Sequence, residues 1–419
     1  MKTRILCGRL HAMSGVRHEG PQIIEIEAGR VTAIGPADGS ASEVVDLSAF
    51  TVLPGMVDAH THLEFDVLAG NEFQQAEVPD HRIMMRMINR GLANLQMGIT
   101  TLRLVGARNF LDIDYRREIE AGETLGPRVI TSTRSIRSSL FGTRPNTQNH
   151  DGEVAIRRAI RENIRAGADM IKIFHSGVLM VHEDSTWPIM SRAELDACVE
   201  EASRFGLDVA AHAYGGRSVD ECLDAGVQVI EHGFFMTQDQ YDRGAALDRW
   251  VVPTLGVFLS EPGLAEHDYW APWQAARQRW AREETWKSIA MLKASGMKYA
   301  LSTDANHGGL GYEAVFAAMG GMTNAEAIAG VTCHGGALCG RPDEIGVLKP
   351  GAFADLFAVE GDPMVDIGTI MNVRHVMKGG IEMFPRIASP RRPVEGGCPP
   401  DAFARVGTPV PAPMPAGRR

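Results

Sequence analysis

Short apolar runs alternate with longer helix-like segments through the middle of this chain, and this alternation constrains the fold more than any other feature. The eight runs are MVDAHTH, ITTLRLVG, RVITST, MIKIFHSG, LDVAAHAYG, VQVIEHGFF, WVVPTLGVF and KYALSTDAN. Segments between them, such as VAIRRAIRENIRAGA and SVDECLDAG, have polar faces, and several end in glycine, a common helix stop. Eight strand–helix units in series predict an α/β fold, a (β/α)8 TIM barrel, with a doubly wound open sheet as the competing interpretation.

The two ends of the chain have a different pattern from the middle. Near the first end, IIEIEAGRVTAIG alternates apolar and polar residues, and VLKPGAFADLFAVEGDP and VRHVMKGGIEMF near the other end are similar. We therefore expect residues 1–54 and 345–387 to form one small β-sandwich domain beside a barrel of residues 55–344. The Pro/Gly-rich tail, 388–419, is expected to be an arm without catalytic residues.

Charge and cysteine content narrow the possible functions. The net charge is −10 and no long basic run occurs, which argues against nucleic-acid binding. The six cysteines include no C-x-x-C pair, which favours free thiols in a reducing compartment. No signal-peptide pattern and no apolar stretch of about 18 residues is present, so we expect a cytoplasmic protein with no membrane partner.

Two histidines separated by one residue close the first apolar run. Side chains on a strand alternate between its faces, so His60 and His62 point the same way. Further side chains of the ligand type occur in later apolar runs, namely Lys172, His212, His232 and Asp304. Each needs a partner in apolar surroundings, and the carboxyl-terminal strand ends of a barrel meet at one face. The pattern therefore predicts a metal site at that face.

The number of ligands bears on the number of metals. Four histidines and a carboxylate exceed one tetrahedral site, but they fit two neighbouring cations that share a bridging hydroxide. Two dications would favour the neutral amine of Lys172, which can react with carbon dioxide to give a carbamate that bridges both metals. A plain salt-bridged Lys172 would instead favour a single metal.

Taken together and in order, these motifs resemble the amidohydrolase superfamily, of the binuclear type with a carboxylated lysine. The resemblance extends over nearly the whole chain and rests on PGMVDAHTH, GITT, GADMIKIF, AAHAYG, VIEHG, STDA and IGVLKPGAFADLFAVEGDP. The chain is similar to the branch that contains imidazolonepropionase-like amidohydrolases, Xaa-Pro dipeptidases and ochratoxin-hydrolysing amidases. It departs from many relatives at His212-Ala-Tyr214-Gly, where they often have H-A-H-G.

The resemblance implies a ligand set and a reaction. The more buried metal would be held by His60, His62 and Asp304, the other by His212 and His232, with carboxylated Lys172 between them. Zinc is the usual metal. Asp304 would also be catalytic, carrying a proton from the nucleophile to the leaving group. The expected function is hydrolysis of an amide-like C–N bond in a small molecule: an N-acyl amino acid, a dipeptide or a xenobiotic amide.

Two alternatives stay open at this point. The same binuclear centre could hydrolyse a phenylurea, a carbamate or a cyclic amide. A binding scaffold without catalysis is the alternative from another class, although all six ligand positions are filled in this sequence.

Three residues near the ligands are candidates for substrate contact. Tyr214 lies two residues past a ligand on the same strand face, where its hydroxyl could donate to a substrate carboxylate or oxyanion. His307 follows the aspartate ligand by three residues, in a loop at the barrel mouth, and His175 could support the site from behind the lysine. Packing roles are the alternative for each.

Arginines follow the third run, in TRSIRSSLFGTRPNTQNHDG. Arg144, with Arg134 and Arg137, could recognise a substrate carboxylate through a bidentate fork. Solvated surface or an interface is the alternative interpretation, and His150 in the same segment is a weaker candidate.

A tryptophan-rich segment covers residues 259–286. It contains four of the six tryptophans: Trp270, Trp273, Trp280 and Trp286. Helix packing or a subunit contact is one interpretation, and an aromatic lid over the pocket is the other. This segment, together with the oligomerisation that the family resemblance implies, leads us to expect a homo-oligomer.

Overall fold

A computed structural model describes residues 2–37, 44–66, 75, 77–141, 148–177, 185–260 and 272–384. Arg144, Trp270 and the tail 388–419 lie outside these ranges, so the predictions made for them are not addressed by the structure.

Fifteen strands occur in the described parts of the chain. They are β1 (Lys2–Leu10), β2 (Gln22–Glu27), β3 (Arg30–Pro36), β4 (Val44–Pro54), β5 (Met56–Thr61), β6 (Ile99–Leu104), β7 (Arg128–Thr131), β8 (Ile171–Phe174), β9 (Val209–Gly215), β10 (Val229–Phe235), β11 (Trp250–Val252), β12 (Lys298–Tyr299), β13 (Leu356–Val359), β14 (Val373–Lys378) and β15 (Ile381–Phe384).

Helices follow most of the strands from β5 onward. In chain order they are α1 (Asp80–Gln96), α2 (Leu111–Ala121), α3 (Glu153–Ala166), α4 (Arg192–Ser203), α5 (Gly216–Ala225), α6 (Gln238–Ala246), α7 (Gly256–Leu259), α8 (Pro272–Ser295), α9 (Leu310–Met319), α10 (Asn324–Gly330) and α11 (Cys333–Leu338).

The eight predicted apolar runs each contain one strand, β5 to β12, and these strands pair with one another only in parallel. They form two sheets, β5-β6-β7 and β8-β9-β10-β11-β12, in place of one continuous sheet. A single parallel bridge between Ile136 and Ile173 connects the β7 side to β8. β12 has only two residues, and among the described residues a single backbone–backbone bond connects the segment after it to β5, from the Asp304 amide to the His60 carbonyl at 2.9 Å.

Burial explains why these strands have continuous apolar sequences. Every residue of β5, β6, β8 and β9 is buried, as expected for parallel strands that are covered on both faces. Helix ends also follow the sequence signals. Ser191 and Glu194 form a capping box at the start of α4, and α2, α3 and α5 each end at a glycine in the left-handed conformation.

Strands from both chain ends share a third sheet of seven strands, in the order β15-β14-β13-β4-β1-β2-β3. Its centre is β4, which pairs in parallel with β1 and antiparallel with β13. Apolar side chains from both ends pack together on it, including Ile5, Ile24, Leu356 and Met377. The sheet thus joins strands from both ends of the described chain, and β5 begins two residues after β4 ends.

Most of the described tryptophan-rich segment is helix α8, which packs against β10 and α6. Trp280 lies with its ring centroid 4.4 Å from that of Phe235, and Trp286 makes an edge contact with Phe316. These contacts agree with the packing interpretation of the segment. Within the described ranges, each helix is either too short or too polar to cross a lipid bilayer.

Candidate metal centre

The predicted ligands converge although they come from five different strands or strand ends. One ligand atom from each of His60, His232 and Asp304 lies within 4.8 Å of the others, close enough to share a cation. Nε2 of His62 is 3.6 Å from Oδ1 of Asp304, and the ring centroids of His212 and His232 are 4.6 Å apart. His60 therefore lies close to His232 as well as to His62, although the family resemblance assigns His232 to the other metal.

Two buried nitrogen atoms in this cluster have no hydrogen-bond partner among the described residues. They are Nζ of Lys172 and Nε2 of His212. A buried polar group without a partner destabilises a fold by about 1–3 kcal/mol, so its retention calls for a ligand. Nitrogen donors beside a carboxylate are the donor set that zinc and related cations prefer. The residues therefore fit bound divalent metal.

The ionisation states in the cluster also suit a cation. Burial lowers the pKa of His62 to about 3 and holds the pKa of His212 and of His232 well below the usual range. Burial alone would raise the pKa of Asp304, but His60 and the other imidazoles outweigh it and hold the pKa well below its usual range. Neutral imidazoles and an ionised carboxylate are the forms that bind metals.

Lys172 is buried in the same cluster. Its desolvation lowers the pKa to about 8, even though the charges of Glu231 and Asp304 act in the opposite direction. A fraction of the amine is therefore neutral near pH 7, and a neutral amine is the reactive form toward carbon dioxide.

The backbone is strained where two of the ligands sit. His232 has φ 73° and Asp304 has φ 50°, both in the left-handed region that residues other than glycine rarely adopt. Such conformations cost about 1–3 kcal/mol each and persist only where the surroundings hold them. His232 lies within β10 and Asp304 in the segment that follows β12, and both side chains belong to the cluster.

A buried carboxylate orients the first histidine. Nδ1 of His60 donates to Oε2 of Glu231 at 2.6 Å, and Oε1 of Glu231 accepts from Nη1 of Arg103 at 2.8 Å. Burial would raise the pKa of Glu231, but Arg103 and His60 hold it well below its usual range. With its proton on Nδ1, His60 directs the lone pair of Nε2 toward Asp304, 3.4 Å away.

Backbone and hydroxyl groups orient other ligands. Nδ1 of His62 donates to the Gly106 carbonyl at 3.1 Å, and a Cβ at Gly106 would lie only 3.3 Å from His62 Cε1. Nδ1 of His232 lies 3.0 Å from Oγ1 of Thr254. The close approach at residue 106 explains the glycine there.

A second buried acid links the first and last strands that carry ligands. Oδ2 of Asp58 accepts from the Thr303 hydroxyl at 2.6 Å, and Oδ1 accepts from the Thr303 amide at 3.1 Å. Burial raises the pKa of Asp58 to about 7. These two hydrogen bonds fix the backbone before Asp304 against the strand that carries His60.

The candidates for substrate contact occupy different positions. The Tyr214 ring lies 4.7 Å from His212 and 5.3 Å from His232, at the centre of the site. His307 is buried, and its Nε2 donates to the Phe65 carbonyl at 2.9 Å. His175 is also buried, with Nε2 3.3 Å from Oε2 of Glu221, so its ring faces away toward α5.

The two described arginines of the third-run segment differ. Arg134 forms an ion pair with Glu162 at 2.6 Å, and 15% of its side chain is exposed. The interpretation as solvated surface is wrong for Arg137, which is only 9% exposed. Its guanidinium carbon lies 4.0 Å from the centroid of the Phe174 ring, and Phe174 stacks on His212. Backbone bonds between residue 136 and strand β8 hold Arg137 beside the centre.

Sequence reasoning missed the residues that orient the ligands: Arg103, Asp58, Glu231, Thr254 and Thr303. The first three carried a usable signal, because each is a charged residue within a run of apolar strand residues and so needs a partner. Their partners lie on other strands, which the sequence does not reveal.

This α/β fold brings four histidines and an aspartate together, and three of these residues, His60, His232 and Asp304, could hold a metal ion. Residues 51–383 match the Amidohydrolase family. The chain belongs to this family and is a hydrolase.

Individual relatives agree with the family match. Ochratoxinase of Aspergillus niger is 27% identical over 366 residues, which cover 78% of this chain and 75% of the relative. Imidazolonepropionase of a Bradyrhizobium species is 25% identical over 389 residues, which cover 82% and 87% respectively. The solved structure of a Xaa-Pro dipeptidase with methionine bound in its active site is 27% identical, with a TM-score of 0.83, and the match covers 91% of this chain and 99% of that one.

Proposed function

We propose that this protein is a binuclear metal-dependent amidohydrolase that cleaves the amide C–N bond of a small molecule. One observation carries the proposal: imidazoles, a carboxylate and a lysine amine converge at buried strand ends, with Lys172 Nζ and His212 Nε2 lacking any other hydrogen-bond partner among the described residues. A catalytic cation pair gives these groups a use, whereas a non-catalytic scaffold does not need them.

Two divalent cations, zinc by preference, would be held by His60, His62, His212, His232 and Asp304, with a carbamate of Lys172 between them. When bound, such cations lower the pKa of water to give hydroxide near neutral pH, and they polarise the scissile carbonyl. The lowered pKa of Lys172, about 8, supports carbamate formation.

The protein's own groups then move the proton and orient the substrate. Asp304 accepts the proton of the attacking water and delivers it to the leaving nitrogen as the C–N bond breaks and the new C–O bond forms. Tyr214, whose ring lies 4.7 Å from His212, is suited to donate a hydrogen bond to the substrate carbonyl or carboxylate. His307 contributes to the wall of the substrate site, and His175 supports His212 through their shared backbone contact.

The substrate we propose is an amide that carries a carboxylate, such as an N-acyl amino acid or a dipeptide. The solved structure of a Xaa-Pro dipeptidase with methionine in its active site supports this class, since a dipeptide and methionine both carry a carboxylate. The buried guanidinium of Arg137 beside Phe174 adds a positive charge suited to a carboxylate.

The architecture proposed with this function is a closed barrel of β5 to β12 beside a β-sandwich. The Ile136–Ile173 bridge and the Asp304–His60 backbone bond support closure at the two sheet edges. The bond from His60 on β5 to Glu231 on β10 supports a common interior. The sandwich would be formed by residues 1–54 and 345–387, and we propose a cytoplasmic homo-oligomer.

The experiment that tests the function combines metal analysis with a substrate panel. The protein is purified in bicarbonate with zinc, its metals are counted, and N-acyl amino acids, Xaa-Pro dipeptides, aryl amides, phenylureas and carbamates are assayed. Two metals per chain with turnover of carboxylate-bearing amides is expected. Turnover confined to ureas or carbamates would contradict the substrate, and absence of metal would contradict the function.

Two histidine variants provide a matched control for this experiment. His212→Ala should lose both metal and turnover. His11→Ala should retain both, because the His11 imidazole contacts Asp362 at 2.9 Å and not the ligand cluster.

A further inference from the structure

Glu313 is a buried carboxylic acid in the first turn of α9, and its partners are unusual. Oε2 accepts from the Leu255 amide at 2.7 Å, and Oε1 accepts from the Gly256 amide at 2.8 Å. The side chain is 1% exposed. Both oxygens thus bind the backbone where the short segment after β11 enters α7.

Burying this acid is unfavourable. Desolvation is the main cause that raises the pKa of Glu313 well above its usual range, and the charges of Asp58 and Asp304 add to it. The packing is also tight, because a Cβ at Gly256 would lie 2.5 Å from Oε1 of Glu313. The two amides are the first free N–H groups of α7, so the carboxylate caps this helix and at the same time fixes the backbone directly after Thr254.

The segment carries Thr254, whose Oγ1 lies 3.0 Å from Nδ1 of His232. His232 is the ligand with φ 73°, so its strained backbone needs contacts that hold it. The other side of the segment is fixed as well, since the Ser302 hydroxyl donates to the Pro253 carbonyl at 2.9 Å. Thr254 is thus held between two anchors, Glu313 and Ser302.

We propose that Glu313 is a positioning residue for the metal centre, acting through Thr254 on the orientation of His232. The inference rests on the proposed function, because it needs His232 to bind a metal. Glu313 touches neither substrate nor ligand. It fixes the segment at two amides, the segment fixes the threonine hydroxyl, and the hydroxyl fixes the ring and the tautomer of His232.

The test is a titration of the metal-stripped full chain with cobalt(II), followed by visible absorption, which reports ligand geometry without turnover. Glu313→Gln and Thr254→Val should each weaken cobalt binding about 10–100-fold and change the absorption bands. Thr254→Ser keeps the hydroxyl and should restore both. The double variant Glu313→Gln/Thr254→Val should bind no more weakly than Thr254→Val alone, because the two residues act in one chain of contacts.

Glu201→Gln is the matched control, since Glu201 is an equally buried acid whose partners are Arg157, Arg161 and Arg204. It should lose stability and keep the cobalt affinity and spectrum. If Glu313→Gln does not fold, Gly256→Ala takes its place, because the added methyl displaces the carboxylate and should produce the same weakening.

The outcomes separate this inference from the proposed function. Wild-type binding with unchanged affinity and spectrum in folded Glu313→Gln or Gly256→Ala would overturn the positioning role alone. Weakening in Glu313→Gln that adds fully to that of Thr254→Val would also overturn it. A wild-type chain that binds no cobalt would overturn the proposed function together with the inference.

Discussion

Oε2 of Glu231 lies 2.6 Å from Nδ1 of His60, and these two residues are 171 positions apart in the chain. The contact joins β10 to β5 and sets the proton of His60 on the nitrogen that faces away from Asp304. The remaining nitrogen is then free to bind a cation. Carboxylate partners of this kind orient metal-binding histidines and increase their basicity.

The first prediction follows from that contact. Glu231→Gln should weaken zinc binding about 10–100-fold, because the amide cannot hold the Nδ1 proton as firmly. It should also destabilise the fold by about 3–5 kcal/mol, since Arg103 is left as an unpaired buried charge. Competition with a chromophoric chelator measures the affinity, and urea unfolding measures the stability.

Adding Arg103→Met to Glu231→Gln separates the two effects. The double variant should regain much of the stability, since the unpaired charge is gone, but its zinc affinity should stay low. Recovery of full affinity in the double variant would show that the carboxylate acts only on stability.

The second prediction concerns the buried amine. Lys172→Ala should bind at most one metal per chain, because no other side chain is expected to bridge the two cations. Lys298→Ala is the control, since Lys298 pairs with Asp248 at 2.5 Å. Metal counting by plasma emission after dialysis in bicarbonate distinguishes one metal from two. Retention of two metals in Lys172→Ala would refute the bridging role.

Lys172 and Glu231 also show what the sequence could and could not predict. Lys172 and the five other proposed ligands could be picked out from the sequence, since each is a polar residue in or directly after an apolar run. Glu231, Thr254 and Glu313 were not, because their roles depend on which strands and helices become neighbours. Sequence periodicity gives the elements and leaves these long-range pairings undetermined.

The same limit explains the error over Arg137. Arginines in a polar, Pro-containing stretch resemble solvated surface. Arg137 is buried instead, because a bridge at Ile136 holds the segment alongside β8. A single contact between distant residues therefore decides the burial of a side chain next to the site.

The third prediction concerns proton transfer. Asp304→Asn should reduce turnover about 10²–10⁴-fold, since an amide cannot accept the proton of the attacking water. The fold should be kept, because asparagine tolerates the left-handed φ of 50° better than most residues do. Circular dichroism checks the fold, and initial rates on the best amide of the panel check turnover. Turnover equal to that of the wild type would contradict the proton-transfer role.

The fourth prediction concerns removal of the metal. A ligand that binds only the native state, present at 100 times its Kd, stabilises that state by about 2.7 kcal/mol. Chelation should therefore lower the melting temperature, and re-addition of zinc should restore it. The His212→Ala variant should show a smaller response than His11→Ala. An identical melting temperature with and without zinc would argue against a metal bound at these residues.

The last prediction concerns the substrate carboxylate. The Arg137 guanidinium lies over Phe174, which in turn stacks on His212, so in the proposed site its charge would lie near a substrate carboxylate. Charge-assisted hydrogen bonds contribute about 1.5–3 kcal/mol, which corresponds to roughly 10–150-fold in affinity. Arg137→Met should therefore lower kcat/KM by about that factor for N-acetyl-L-phenylalanine and by much less for N-acetyl-L-phenylalaninamide, which lacks the charge.

Arg134→Met is the control and should affect neither substrate, because Arg134 pairs with Glu162. Equal losses on both substrates in Arg137→Met would assign Arg137 to packing against Phe174 and not to carboxylate recognition.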